Sequence, residues 1–166
     1  MYYPDLTPIW LPPAPNSAKL LAVGWLQPEY DYRHGPVDEK FVGNLVDLLV
    51  NPWQPAIAMG VHPCGFCRLS GGPASFRLGN HAGSSEVRMG VSNLWLPADG
   101  FLFVAPSLIL HYMDAHGYSP PDDFQAAVMT CPPMRSMEYL KALLKNGPEE
   151  LLSGAAWRDG PLNPET

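Results

Sequence analysis

Positive charge is the first thing this sequence is short of. Ten Lys and Arg stand against sixteen Asp and Glu in 166 residues, for a formal net charge of −6 and a pI near 5.2. The basic residues form no run and no Lys/Arg-rich helix face. Binding to nucleic acid rests largely on neutralising phosphates, so nucleic acid is excluded as a partner. Long apolar runs are missing too: prolines and charges interrupt every stretch before the ~18 residues that span a bilayer. The opening MYYPDLTPIWLPPAP has neither the basic n-region nor the apolar h-region of a secretory signal. Three cysteines, two of them in one Cys-x-x-Cys pair, make a poor disulfide framework and suit a reducing compartment. These absences point to a soluble, cytoplasmic protein without a membrane partner. The sequence also has no Walker loop, no G-x-G-x-x-G and no G-x-S-x-G elbow, which removes the usual supports of nucleotide and hydrolase chemistry.

What is abundant is proline. Twenty Pro and 15 Gly make about a fifth of the chain. That is below the roughly 25–30% of a disordered low-complexity protein, and no Gly-X-Y period suggests collagen. An apolar fraction of 46% is ample for one core, and the length fits one domain over residues 1–166. Pro4, Pro8, Pro12, Pro13 and Pro15, with Tyr2, Tyr3 and Trp10, make residues 1–17 an extended arm whose aromatics need a body to lie against. The last nine residues, 158–166, read as a frayed tail.

Between arm and tail the periodicities predict short elements. Lys19 to Leu26 reads as a buried strand stopped by Gln27-Pro28. Val37 to Val50 carries a helical stripe of Phe41, Leu45, Leu48 and Leu49, with Asp38 and Glu39 at its positive end and Asn51-Pro52 as its stop. Ile57–Val61, Ser85–Val91, Asn93–Leu96 and Phe101–Val104 read as strands. Asp99-Gly100 is a good hairpin turn between the last two, and the SGGPAS segment reads as a loop. A nearly all-apolar helix is expected from Pro106 to His116, with Pro in its first turn and Gly117 beyond its end. Asp122 or Asp123 is expected to cap a short helix through Cys131, and Ser136–Lys145 is a clear amphipathic helix. The order predicts an α+β domain, with short helices packed on a small antiparallel sheet.

The densest chemistry is His62-x-Cys64-x-x-Cys67 taken together with His111 and His116. Two thiolates from one tight turn share a tetrahedral ion well, and His111-x4-His116 lies within the spacing of Cys2His2 zinc sites. The pairs are 43 residues apart, so this is a zinc knuckle closed by a distant helix rather than a small finger. Five residues on a regular helix separate two side chains by about 140°. His111 and His116 therefore meet one ion only if the last turn before Gly117 loosens. Otherwise His62 joins the cysteines and one helix histidine completes the set. Ser107, His111 and Asp114 are expected to form a polar stripe.

Other chemistries find less support. Pro63-Cys64-Gly65-Phe66-Cys67 matches half of the zinc deaminase signature, but His34 is followed by Gly35-Pro36 where His-x-Glu is required. A thioredoxin-like pair needs a helix N-terminus, and here RLSGG follows. Glu86 is the candidate general base for a zinc hydrolase with an open position, or else a strand carboxylate paired with Arg88. His34 and His81 read as turn residues, Cys131 as a buried small residue, and Trp53, Trp95 and Trp157 as packing.

The strings GVHPCGFC, GN, SSEVR and APSLILHYMDAHGYSPPDDF, with YYPDLTP at the start, resemble a family of small bacterial proteins with a domain of unknown function. In that family a Cys-x-x-Cys pair precedes a His-Tyr-x3-His helix. The likeness spans residues 2 to 130 in pieces and groups Cys64, Cys67, Glu86, His111 and His116, without implying a reaction. The sequence thus predicts a zinc-stabilised α+β module that binds a protein, of an accessory or immunity type. Its metal ligands are Cys64, Cys67, His111 and His116, with His62 as alternative, and a small zinc hydrolase using Glu86 is the second reading.

Overall fold

The first helix forms where the sequence predicts it, two residues later at its start, with Asp38 as its cap, the carboxylate accepting from the backbone N–H of Lys40 and Phe41. Helix α1 (Glu39–Val50) then buries Phe41, Leu45, Val46, Leu48 and Leu49 on one stripe. The computed structural model describes residues 1–11, 17–55, 60–67, 75–78 and 85–152. Most of the strand expected at 57–61, the segment 68–74, His81, Trp157 and the tail 158–166 lie outside the described residues.

The central sheet has three strands in the order β1 (Leu20–Ala22), β5 (Leu102–Pro106), β4 (Asn93–Pro97). β4 and β5 form the expected antiparallel hairpin, turned by Gly100 at φ 87°, with the Ala98 N–H donating to the Phe101 carbonyl at 2.9 Å. β1 joins β5 in parallel, Leu20 opposite Leu102 and Ala22 opposite Val104, so the sheet is mixed. A separate antiparallel ribbon pairs β2 (Ser75–Leu78) with β3 (Ser85–Arg88). Ser75, read as the end of a loop, is thus the first residue of a strand.

β5 is buried along its whole length because both faces of the sheet are covered. Alternation sends Phe103 and Ala105, with Leu94 and Leu96 of β4, into a core shared with α1, α2 (Ile109–His116) and α3 (Asp122–Thr130). Leu102, Val104 and Trp95 face the other way, onto Ile9 and Leu11, Trp53, and Tyr139 and Leu143 of α4 (Met137–Asn146). The Tyr139 hydroxyl donates to the Trp95 carbonyl at 2.6 Å, fixing α4 to β4. A short α5 (Glu149–Leu152) follows. Five short helices and small sheets of two and three strands make this an α+β domain, among the described residues.

Residues 1–11 run along the outer side of β1. Leu6 N–H donates to Ala22, Ile9 N–H to Leu20, and Ala22 N–H to Thr7, at 2.8 to 3.0 Å. Asp5 accepts from Gly24 N–H at 2.9 Å and from the Tyr118 hydroxyl at 2.8 Å. Burial pushes the Asp5 carboxyl up, and these two donors partly offset it.

Two expected helix starts move. Pro106 ends β5 opposite Asn93, and α2 begins three residues later behind Leu108, without a side-chain cap. A buried apolar run that can pair with β4 stays extended, and proline suits a strand end as well as a first helical turn. Asp122 and Asp123 lie inside the first turn of α3; Pro121 is at the cap position, with no side-chain bond. Ser107 precedes α2, and its hydroxyl donates to the Arg88 carbonyl, so the expected polar stripe loses its first member to the β3–β4 turn. Among the described residues no helix is long and apolar enough to cross a membrane.

Candidate metal centre

α2 is held in the core by Ile109, Leu110, Tyr112 and Met113, which leaves His111 and His116 half-buried at its margin. The end of α2 solves the angular problem that the spacing poses. Gly117 takes the left-handed conformation at φ 64°, and its N–H bonds the Tyr112 carbonyl, five residues back rather than four. Tyr118 N–H reaches the same carbonyl at 3.1 Å. This wider, π-like closure brings residues five apart closer to one face than a regular helix does.

The two imidazoles consequently converge, with Nε2 of His111 and Nε2 of His116 3.2 Å apart. Cys67 Sγ lies 3.3 Å from His111 Nε2 and 3.4 Å from His116 Nε2, and Cys64 Sγ lies 3.3 Å from His116 Nε2. All four donor atoms fall within 4.8 Å of one another. A tetrahedron built on metal–sulfur bonds of about 2.3 Å and metal–nitrogen bonds of about 2.05 Å has S–N edges of about 3.6 Å and an N–N edge of about 3.3 Å. The observed edges are a few tenths of an ångström shorter or less, so an ion fits with small side-chain adjustments. Two thiols, two imidazoles and no carboxylate form a donor set suited to a tetrahedral, borderline-soft cation.

The turn 64–67 is fixed from three sides. Burial and the neighbouring Cys67 push the Cys64 thiol up, and backbone N–H groups of Cys67 and Phe66, which bond its sulfur, offset that only in part. Gly65 is glycine for space: a Cβ there would lie 3.0 Å from Pro28 Cδ. The Phe66 ring packs 4.9 Å from the His116 ring and edge-on to Tyr32 and Tyr112. The Tyr32 hydroxyl donates to the His116 carbonyl at 3.2 Å, anchoring the end of α2. Ahead of the turn, His62 N–H donates to Gly90 at 2.7 Å. Gly90 has φ 74°, and a Cβ on it would sit 2.3 Å from the His62 carbonyl oxygen, so this approach requires glycine.

His111 is held below its ordinary 6.5, first by burial and then by His116, with Asp114 opposing weakly. This shift favours the neutral imidazole, the form that binds a metal ion. His62 lies outside the group: its ring stands edge-on to Trp25 at 5.7 Å, and it lines a cavity with Leu11, Gln54 and Asn93. Glu86 is also outside it. Its partner is Arg77 across the β2–β3 ribbon at 3.3 Å, where the sequence suggested Arg88. Hydrogen bonding from Ser75 and the charge of Arg77 hold this exposed carboxyl below its usual range. Cys131 sits between α3 and α4, its thiol pushed up to about 12 by burial.

Sequence reading missed Pro28, Tyr32 and Gly90 as supports of the site. Gly90 carried a weak signal as a glycine in a strand-like run; the other two carried none. A family model described as "Domain of unknown function (DUF7919)" matches residues 1–129, a span that includes all four donor residues. No curated protein and no solved structure matches the chain.

Proposed function

We propose that this chain, which belongs to the DUF7919 family, is a protein-binding module tied together by a structural zinc ion on Cys64, Cys67, His111 and His116. The carrying observation is the mutual approach of four donor atoms to within 4.8 Å, from a turn and a helix 44 residues apart in sequence. Four protein ligands close a tetrahedral site, whereas a hydrolytic zinc keeps one position for water. Glu86, engaged with Arg77 and Ser75 and held in its ionised form, does not supply the poised base that turnover needs. Zinc therefore serves as a cross-link in a fold whose longest helix among the described residues has only 12 residues. The acidic balance and exposed apolar side chains such as Trp10, Tyr30 and Met137 favour a protein partner over nucleic acid. An accessory or immunity-type role in the cytoplasm is the finer reading.

Metal analysis of the purified, unchelated chain tests the ion. About one zinc per chain is expected, and less than about half refutes the metal reading. If zinc is present and a chelator leaves the fold and its melting temperature unchanged, the structural role fails. Retention of zinc by His62→Ala, and its loss by His111→Ala and His116→Ala, identifies the ligands.

A further inference from the structure

We propose that Cys64 and Cys67 are a peroxide-responsive pair, oxidised by hydrogen peroxide to a disulfide with release of the bound metal ion. The proposal rests on the reading that the cluster holds that ion. All three cysteines of the chain are partly buried, but their neighbours differ. Cys131 is packed against both hydrophobic cores, and burial keeps its thiol protonated, which makes it a poor nucleophile. Cys64 and Cys67 are half-exposed on a turn whose Val61, Pro63 and Gly65 all face solvent. The exposed residues around them put this turn at the surface, where a small oxidant arrives.

Geometry favours pairing over further oxidation of either sulfur alone. The donor atoms of both cysteines lie within 4.8 Å of each other on residues i and i+3. A tetrahedral ion would hold the sulfurs about 3.8 Å apart, and a disulfide needs about 2.05 Å. Rotation about the two Cα–Cβ bonds can make up much of that difference once the ion is gone. One thiolate attacks the peroxide, the O–O bond breaks, and a sulfenic acid and hydroxide form. The second thiolate attacks that sulfur, forming the S–S bond and expelling the oxygen as hydroxide. Two protons from solvent convert the two hydroxides to water. Two thiolates thus lose two electrons and one peroxide gains them. The ion is left with only His111 and His116 and dissociates, untying the turn from α2.

The test uses the full zinc-loaded chain, treated with about a tenfold excess of hydrogen peroxide, with zinc followed by a chromogenic chelator and thiols by titration. The expected result is release of about one zinc per chain in step with loss of two of the three thiols. Peptide mapping should place one disulfide between Cys64 and Cys67 with Cys131 reduced, and a dithiol with added zinc should restore both thiols and metal. Cys131→Ser should behave like the parent. A zinc-loaded chain that keeps its metal and all its thiols while free glutathione in the same tube is consumed overturns this proposal and leaves the metal reading standing. So does oxidation that lands on Cys131 or stops without an S–S bond. A chain carrying no metal as purified overturns the metal reading beneath it, whatever its thiols do.

Discussion

Gly90→Ala separates the support of the metal turn from ordinary backbone strain. At φ 74° an alanine costs about 1–2 kcal/mol for the left-handed conformation alone. Its Cβ would also lie 2.3 Å from the His62 carbonyl oxygen, a distance that no relaxed structure tolerates, so the backbone at His62 must move by about an ångström. That movement breaks the 2.7 Å bond from His62 N–H to Gly90, worth about 1 kcal/mol. The total loss is about 2–4 kcal/mol. Gly100→Ala supplies the control, because φ is 87° and no atom lies within 4 Å of the added methyl; it should cost only the conformational part, about 1–2 kcal/mol. Urea unfolding of both variants gives the difference, expected to be at least about 1 kcal/mol. Cys64 follows His62 by two residues, so Gly90→Ala should also weaken zinc about tenfold in a competition titration, while Gly100→Ala leaves it within about twofold. Equal losses of stability, or equal zinc affinities, would refute the claim that Gly90 positions the ligand turn.

Chelation of zinc from the parent should lower the melting temperature by about 8–16 °C under conditions where free zinc stands near a thousand times its dissociation constant. That figure follows from about 4 kcal/mol of linkage at about 2–4 °C per kcal/mol, read by scanning calorimetry. Asp5→Ala removes the acceptor of Gly24 N–H and of the buried Tyr118 hydroxyl, and should cost about 1–3 kcal/mol in urea unfolding, with Asp5→Asn losing less. In the metal-free chain, His111 and His62 are both held below 6.5, so the unfolded state takes up protons first. Stability should hold above pH 6.5 and decline as the pH falls below it, and a metal-free stability that rises on acidification from pH 7 to 5 contradicts the assignment.

Much of this was legible because the relevant signals are local. The α1 stripe with acidic residues at its head, the amphipathic pattern of α4 and the Asp99-Gly100 turn each state their structure within a dozen residues. Cys64, Cys67, His111 and His116 were legible as ligand types at ligand spacing, and even the need for a loosened helix end could be derived from the 3.6-residue turn. What stayed hidden depends on partners far along the chain. Nothing near Leu20 says that it pairs with Leu102 in parallel, and nothing near Asp5 names Tyr118. Pro106 misled because its ring fits either a helix start or a strand end, and only pairing with Asn93 decides between them. Glu86 has Arg77 and Arg88 as equivalent neighbours until the ribbon's register places Arg77 opposite it.

The parallel union of β1 with β5 has a consequence for the order in which the protein is made. During synthesis, β1 emerges with only the arm of residues 1–11 beside it and the cysteine turn without its histidines, since Leu102 and His111 follow 82 and 44 residues after Leu20 and Cys67. The β4–β5 hairpin can close by itself, but the central sheet and the tetrahedral cluster are completed only when the stretch from Leu102 to His116 has left the ribosome. Until then the nascent chain holds a strand paired along one edge only and an unguarded pair of thiols. A ribosome stalled before Leu102 should therefore present a protease-sensitive chain, and one stalled well beyond His116 a resistant one.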